Sequence, residues 1–217
     1  MSTWLRHSPI AHRGLHGDDA PENSLPAFAA AIAAGYAIEL DVRLLADETV
    51  VVFHDAELSR LTEARGPVAA RTCANIDKLR LLGTQAKIPT LREVLDLVDG
   101  QVPLLIEIKN RGRAGRLERA LWRCLVGYRG AFAIQAFSPY SLAWFRVYAP
   151  HVLRGQLACD FRDEDLPKHH IATLKRLLMH PLTAADFIAY DHHCLPYWPA
   201  TLARKAGLPV LAWTITS

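Results

Sequence analysis

The sequence predicts an α/β fold, a (β/α)8 TIM barrel, on three observations. Short apolar runs alternate along the chain with helix-like segments between most of them, and eight such runs can be counted. The runs lack the apolar–polar alternation of a half-solvated sheet, a pattern that marks strands buried on both faces and hence a parallel sheet. The turn after the first run carries no Gly-x-Gly-x-x-Gly, which disfavours the alternative of a doubly wound open sheet.

Taken in order, SPIAHRG reads as the first strand, ending in His12-Arg13-Gly14. A turn rich in Gly, Asp and Pro follows, and Asn23 or Ser24 caps an Ala-rich helix, roughly Leu25 to Ala34, that stops at Gly35. AIELDVRLL and VVVFHD are read as strands two and three, separated by the polar break Ala46-Asp47-Glu48. Periodicity is weak from Ala56 to Lys87, so this stretch is read as an insertion, with a short helix near Asn75 to Leu82. Pro89-Thr90 opens the helix LREVLDLV, whose apolar residues fall three and four apart. Strand PLLIEIKN, a basic helix near Gly115 to Val126, strand FAIQAFS, helix PYSLAWFRVY and strand VLRGQLAC come next. A charged helix around Asp165 to Met179, strand FIAYDHHCL, a helix near Pro199 to Lys205 and an eighth strand, PVLAWTI, complete the series. The last helix is expected to be missing, since only two residues follow Ile215. That would leave apolar faces of the first and last strands open unless an N-terminal segment or another copy in a homo-oligomer covers them.

With 217 residues, 51% of them hydrophobic, the chain is expected to form a single domain over residues 1–217, with the insertion at about 56–87. The net charge of +3 and the absence of a Lys/Arg run argue against nucleic acid as a partner. Cys73, Cys124, Cys159 and Cys194 are scattered without a Cys-x-x-Cys pair, as reduced thiols would be. The start has no signal-like apolar run, and no stretch reaches the roughly 18 apolar residues of a membrane span. A cytoplasmic protein without stable membrane insertion is expected.

The chemistry concentrates in a few places. Glu39 and Asp41 are two apart on a strand and share a face, where two carboxylates repel by roughly 1 to 4 kcal/mol unless a cation or proton lies between them. A solvated hairpin face is the competing reading, and it weakens once the neighbours are considered. In a barrel the reactive groups lie at the C-terminal ends of strands, and four strands bring His12-Arg13, Glu39 with Asp41, His54-Asp55, and Glu107 with Lys109. Three carboxylates form a hard oxygen set suited to Mg2+, Ca2+ or Mn2+. Lys109, on the same face as Glu107, is placed to offset charge or hold a phosphate oxygen. His16, His169, His170 and His180 read as surface residues, and His192 and His193 as solvent-facing or rim groups.

The segments His12-Arg13-Gly14, Glu22-Asn23-Ser24, Glu39-Leu40-Asp41-Val42, Val52-Phe53-His54-Asp55, Ile88-Pro89-Thr90-Leu91 and Glu107-Ile108-Lys109 closely resemble the glycerophosphodiester phosphodiesterase family. The resemblance runs from about Ile10 to Trp213. It implies a barrel enzyme that uses a divalent ion to hydrolyse a small glycerophosphodiester to an alcohol and sn-glycerol 3-phosphate. By the same resemblance His12 and His54 are the catalytic histidines, Glu39, Asp41 and Glu107 the metal ligands, and Arg13 and Lys109 the phosphate contacts. Gln135, Phe137 and Trp213 match substrate-side positions. Leu45-Ala46-Asp47-Glu48 departs from the Thr and Gly usual in the family's turn. Two other readings are a catalytically impaired barrel that binds or regulates, and a lysophospholipid-cleaving member of the family.

Overall fold

The computed structural model describes residues 4–110, 112–161 and 167–215. In chain order its elements are α1 (Trp4–His7), β1 (Ile10–Ala11), α2 (Leu25–Ala33), β2 (Ala37–Leu44), β3 (Val50–Val52), α3 (Cys73–Ile76), α4 (Leu91–Val98), β4 (Leu104–Ile108) and α5 (Arg116–Leu125). They continue with β5 (Phe132–Ala136), α6 (Pro139–Tyr148), β6 (Leu153–Ala158), α7 (Lys168–Lys175), α8 (His180–Thr183), β7 (Phe187–Asp191), α9 (Trp198–Lys205) and β8 (Val210–Trp213). Two compact units result, one of residues Ser8–Phe132 and one of Met1–His7 with Ala133–Ser217. No helix among the described residues is long and apolar enough to cross a membrane.

In the Ser8–Phe132 unit, β2 is the central strand. It runs parallel to β1, with Ile10 opposite Ala37, and parallel to β4, with Asp41 opposite Glu107. Ser24 is the residue that caps α2, its Oγ accepting from the Ala27 N–H at 3.3 Å. The helix buries Ala27, Phe28 and Ala31. Thr90 and Glu93 form a reciprocal capping box at the start of α4, which buries Leu91, Val94, Leu95 and Val98 along one stripe.

The reading of β3 as a parallel barrel strand is corrected here: β3 runs antiparallel to β2, with Val42 opposite Val52 and Leu44 opposite Val50. The reason is the connection. Leu45 N–H donates to Thr49 O at 2.9 Å across a tight turn in which Glu48 is left-handed (φ 63). A parallel return needs a crossover of about a dozen residues or more. Among the described residues, β1, β2 and β4 here and β5 to β8 in the other unit are therefore the strands with parallel neighbours, and β3 is not one of the series.

After β3 the chain makes an excursion with its own apolar cluster, in which Leu58, Leu61, Val68, Ile76 and Leu81 pack with Leu45, Val51, Phe53 and Ile88. Its helix, α3, lies earlier and is shorter than the spacing predicts. Leu82 and Gly83 both take left-handed φ values, 49 and 73, which no right-handed helix admits.

In the other unit β5, β6, β7 and β8 pair in sequence, all parallel, with Gln135 opposite Gly155 and Asp191 opposite Trp213. The charged helix expected to reach Met179 ends at Lys175, and α8 follows, with Leu177 left-handed (φ 59) in between. Its expected start at Asp165 lies outside the described residues. Gly155 has no room for a side chain, because an added Cβ would stand 2.1 Å from the Phe187 ring on β7. Gly155→Ala should destabilise the chain by about 1–3 kcal/mol, read as a lower urea midpoint, and an unchanged midpoint would mean that the ring moves aside freely.

Candidate active site

Strand alternation places Glu39 and Asp41 on one face of β2, and the parallel register sets Glu107 of β4 directly opposite Asp41. All three are buried, at 4%, 1% and 7% exposure, and their carboxylate oxygens lie within 4.8 Å of one another. Such a cluster demands positive charge. Lys109 places its ammonium 2.6 Å from Glu107 Oε1 and 3.2 Å from Asp41 Oδ1. Arg13, left-handed at φ 56, donates its backbone N–H to Glu39 Oε2 at 3.0 Å and sets its guanidinium Nε 3.4 Å from Asp41 Oδ2.

Asn23 completes the hold on Asp41. Its side-chain amide donates to Asp41 Oδ2 at 2.8 Å, while its Oδ1 accepts the Asp41 backbone N–H at 3.2 Å. Sequence reasoning gives Asn23 as a candidate helix cap and as part of the Glu22-Asn23-Ser24 segment, without a role toward Asp41. The signal that could have found it is its place beside Glu22, since Glu22 in turn accepts from Arg13 Nη1 at 2.9 Å.

The charge balance shows in the titration of these groups. Burial raises Glu39 well above the ordinary carboxylate value, and Asp41 and Glu107 add to the rise. Glu107 is raised to about 7, chiefly by burial. Asp41 goes the other way: burial would raise it, but Lys109, His54, Arg13 and the Asn23 hydrogen bond outweigh burial and hold it low. Two cations thus do not suffice for three carboxylates. An oxygen-only, buried and under-neutralised donor set fits a divalent metal ion.

His12 ends the first strand region and His54 follows β3. Burial lowers His12 to about 4, with Arg13 adding to the fall and Asp41 opposing it. His54 is also lowered, by burial and Lys109, against the pull of Asp41 and Asp55. Its Nδ1 lies 2.6 Å from Asp55 Oδ1, and its backbone carbonyl accepts from Arg43 Nε at 2.9 Å. His12, Arg13, Glu39, Asp41, His54, Glu107 and Lys109 all belong to the Ser8–Phe132 unit.

Gln135, Phe137 and Trp213 belong to the other unit. Phe137 meets Trp213 edge to face, with ring centroids 5.8 Å apart, and meets Phe161 in the same way. Gln135 Oε1 and Trp213 Nε1 are buried and have no hydrogen-bond partner among the described residues. His192 and His193 are engaged locally, His192 Nδ1 lying 3.3 Å from Trp213 O and the His193 N–H bonding Asp191 Oδ1 at 2.9 Å.

Residues 12–217 match the model of the glycerophosphoryl diester phosphodiesterase family. A glycerophosphodiester phosphodiesterase of Caldanaerobacter subterraneus subsp. tengcongensis is 33% identical over 222 residues, covering 95% of this chain and 84% of that protein. Among solved structures, an Oleispira antarctica phosphodiesterase in complex with the product sn-glycerol-3-phosphate superposes with a TM-score of 0.83 at 26% identity, covering 97% of this chain and 85% of that one. The glycerophosphodiester phosphodiesterase of Thermotoga maritima gives a TM-score of 0.75 at 25% identity, covering 98% and 88%. The fold is the α/β, TIM-barrel type of these proteins, and with the buried acidic site it defines a phosphoric diester hydrolase. The chain belongs to the glycerophosphoryl diester phosphodiesterase family.

Proposed function

We infer that the chain hydrolyses glycerophosphodiesters to an alcohol and sn-glycerol 3-phosphate, with Glu39, Asp41 and Glu107 holding a divalent cation and His12 and His54 moving protons. The observation that carries this reading is the buried acidic triad, with oxygens within 4.8 Å, set among Arg13, Lys109 and the two imidazoles. The hard oxygen donors favour Mg2+, Ca2+ or Mn2+.

A cation bound there supplies positive charge to the non-bridging oxygens of the phosphodiester. Arg13 and Lys109 extend that charge to the phosphate. His12 suits the role of base, because burial keeps its imidazole neutral at pH 7. Of the two, His54 better suits the role of acid: burial and Lys109 disfavour its imidazolium too, but Asp55 opposes that through Nδ1 and leaves Nε2 to donate. The substrate's own glycerol 2-hydroxyl is the near nucleophile. It loses its proton to His12 as the new P–O bond forms, and the departing alkoxide takes a proton from His54 as the old P–O bond breaks. In the second half His54 accepts a proton from water, and His12 returns its proton to the 2-oxygen as the cyclic phosphate opens to glycerol 3-phosphate. Gln135, Phe137 and Trp213 are assigned as substrate-side residues on the family resemblance, Gln135 Oε1 and Trp213 Nε1 being an acceptor and a donor without a partner among the described residues.

The test is release of glycerol 3-phosphate from glycerophosphocholine, glycerophosphoethanolamine and lysophosphatidylcholine, after chelation and after return of Mg2+, Ca2+ or Mn2+. Release that chelation abolishes and one of these ions restores is expected with the two deacylated substrates. Binding of glycerophosphodiesters without release under any ion, by folded protein, would replace this reading with that of a binding protein.

A further inference from the structure

Arg60 lies at the start of the excursion that follows β3, and its guanidinium engages four carboxylate oxygens at once. Nε and Nη2 take the two oxygens of Asp55, the Nη2 contact at 3.1 Å. Nη1 and Nη2 take the two oxygens of Glu22, at 2.9 and 2.7 Å. A lone half-exposed ion pair contributes little to stability, but a doubly bidentate network holds both carboxylates in fixed orientation, and that orientation has a purpose.

The purpose is legible from what lies behind each carboxylate. Asp55 accepts from His54 Nδ1 at 2.6 Å while both its oxygens are engaged by Arg60, which keeps it ionised and able only to accept. Nδ1 of His54 must then carry the hydrogen, and Nε2 is the atom left to exchange protons. Glu22 Oε1 also accepts from Arg13 Nη1, and the neighbouring Asn23 is locked onto Asp41. One guanidinium therefore braces the imidazole on one side and the Arg13 guanidinium on the other.

We propose that Arg60 is a positioning residue for phosphodiester hydrolysis, fixing the tautomer and ring orientation of His54 through Asp55 and the Arg13 guanidinium through Glu22. The proposal rests on the function inferred above. It assigns separate kinetic consequences to the two arms: the Asp55 arm acts on kcat, through the proton-transfer group, and the Glu22 arm acts on KM, through the phosphate contact.

The test uses the full chain loaded with its divalent ion and combines steady-state kinetics with two-bond 1H–15N correlation of the imidazole nitrogens. Arg60→Ala is expected to lower kcat about 10- to 100-fold, to raise KM several-fold and to turn the single His54 tautomer into a mixture. Asp55→Asn is expected to reproduce the kcat and tautomer changes with KM unchanged, and Glu22→Gln the KM change with kcat and tautomer unchanged. The Arg60→Ala, Asp55→Asn double variant is expected to lose no more kcat than Asp55→Asn alone. If Arg60→Ala does not fold, the Asp55 and Glu22 variants decide by this split. A single unchanged His54 tautomer in Arg60→Ala or Asp55→Asn, or fully multiplicative kcat losses in the double variant, overturns the proposal. If the parent chain proves inactive with every ion, the function reading fails, and the tautomer measurement, which needs no turnover, still decides on Arg60.

Discussion

His54→Ala should lower kcat by about 100-fold or more while leaving the folded state intact, because it removes the group that protonates the leaving alkoxide. The loss should shrink sharply when the departing group is p-nitrophenolate, which leaves without a proton. His12→Ala should cost a similar factor with either leaving group, because the attacking hydroxyl still needs a base. For a base lowered to about 4, the acid limb of kcat/KM falls as pH drops through that value, and above it the lone pair is free. Equal losses for both variants with both leaving groups would remove this division of labour. A variant with nearly full activity would remove its histidine from the mechanism.

Glu39→Gln should abolish most activity and at the same time stabilise the cation-free chain. The loss follows from a missing cation ligand, and several kcal/mol of charge stabilisation corresponds to about 100-fold or more in rate. The gain follows from proton linkage. A buried carboxylate raised above its unfolded value binds a proton in the folded state that the unfolded chain releases, so stability falls as pH rises from about 4.3 upward. Glu107 continues that fall through about 7. His12 and His54, lowered by burial, push the other way up to about pH 6.5. The triad's share is therefore read as the difference in urea midpoint between Glu39→Gln and the parent chain without cation, a difference that should widen from pH 5 to pH 8. Glu39→Gln should gain little midpoint when Mg2+, Ca2+ or Mn2+ is added, where the parent gains strongly. A gain from Glu39→Gln in chelator that is no larger at pH 8 than at pH 5 would contradict the charge balance described for the triad.

The acidic core of the site was legible because strand alternation is a two-residue rule that needs no knowledge of the rest of the fold. Glu39 and Asp41 share a face for that reason alone, and Glu107 joins them through the β2–β4 register. The direction of β3 was misread, although the signal was present. Burial on both faces suggested a parallel strand, but a turn as short as Leu45 to Thr49 permits only an antiparallel return. Glu22, Asp55 and Arg60 were missed as a set for a different reason. Glu22 and Arg60 are 38 residues apart, and no local period relates a turn residue before α2 to one in an aperiodic excursion. Asp55 stood next to His54 in plain sight, and only its hydrogen bonds distinguish it from an ordinary turn acid.

The small apolar cluster that joins the excursion to β3 bears on recombination. Leu58, Leu61, Val68, Ile76 and Leu81 close against Leu45, Val51, Phe53 and Ile88, so the segment is anchored by partners on both sides of its ends. A chimera made by exchanging residues 56–87 with a relative would import one half of that packing and keep the other, disturbing Phe53, the immediate neighbour of His54. Crossover points placed before Leu45 and after Ile88 would move the whole cluster as one piece, together with its arginine and its histidine.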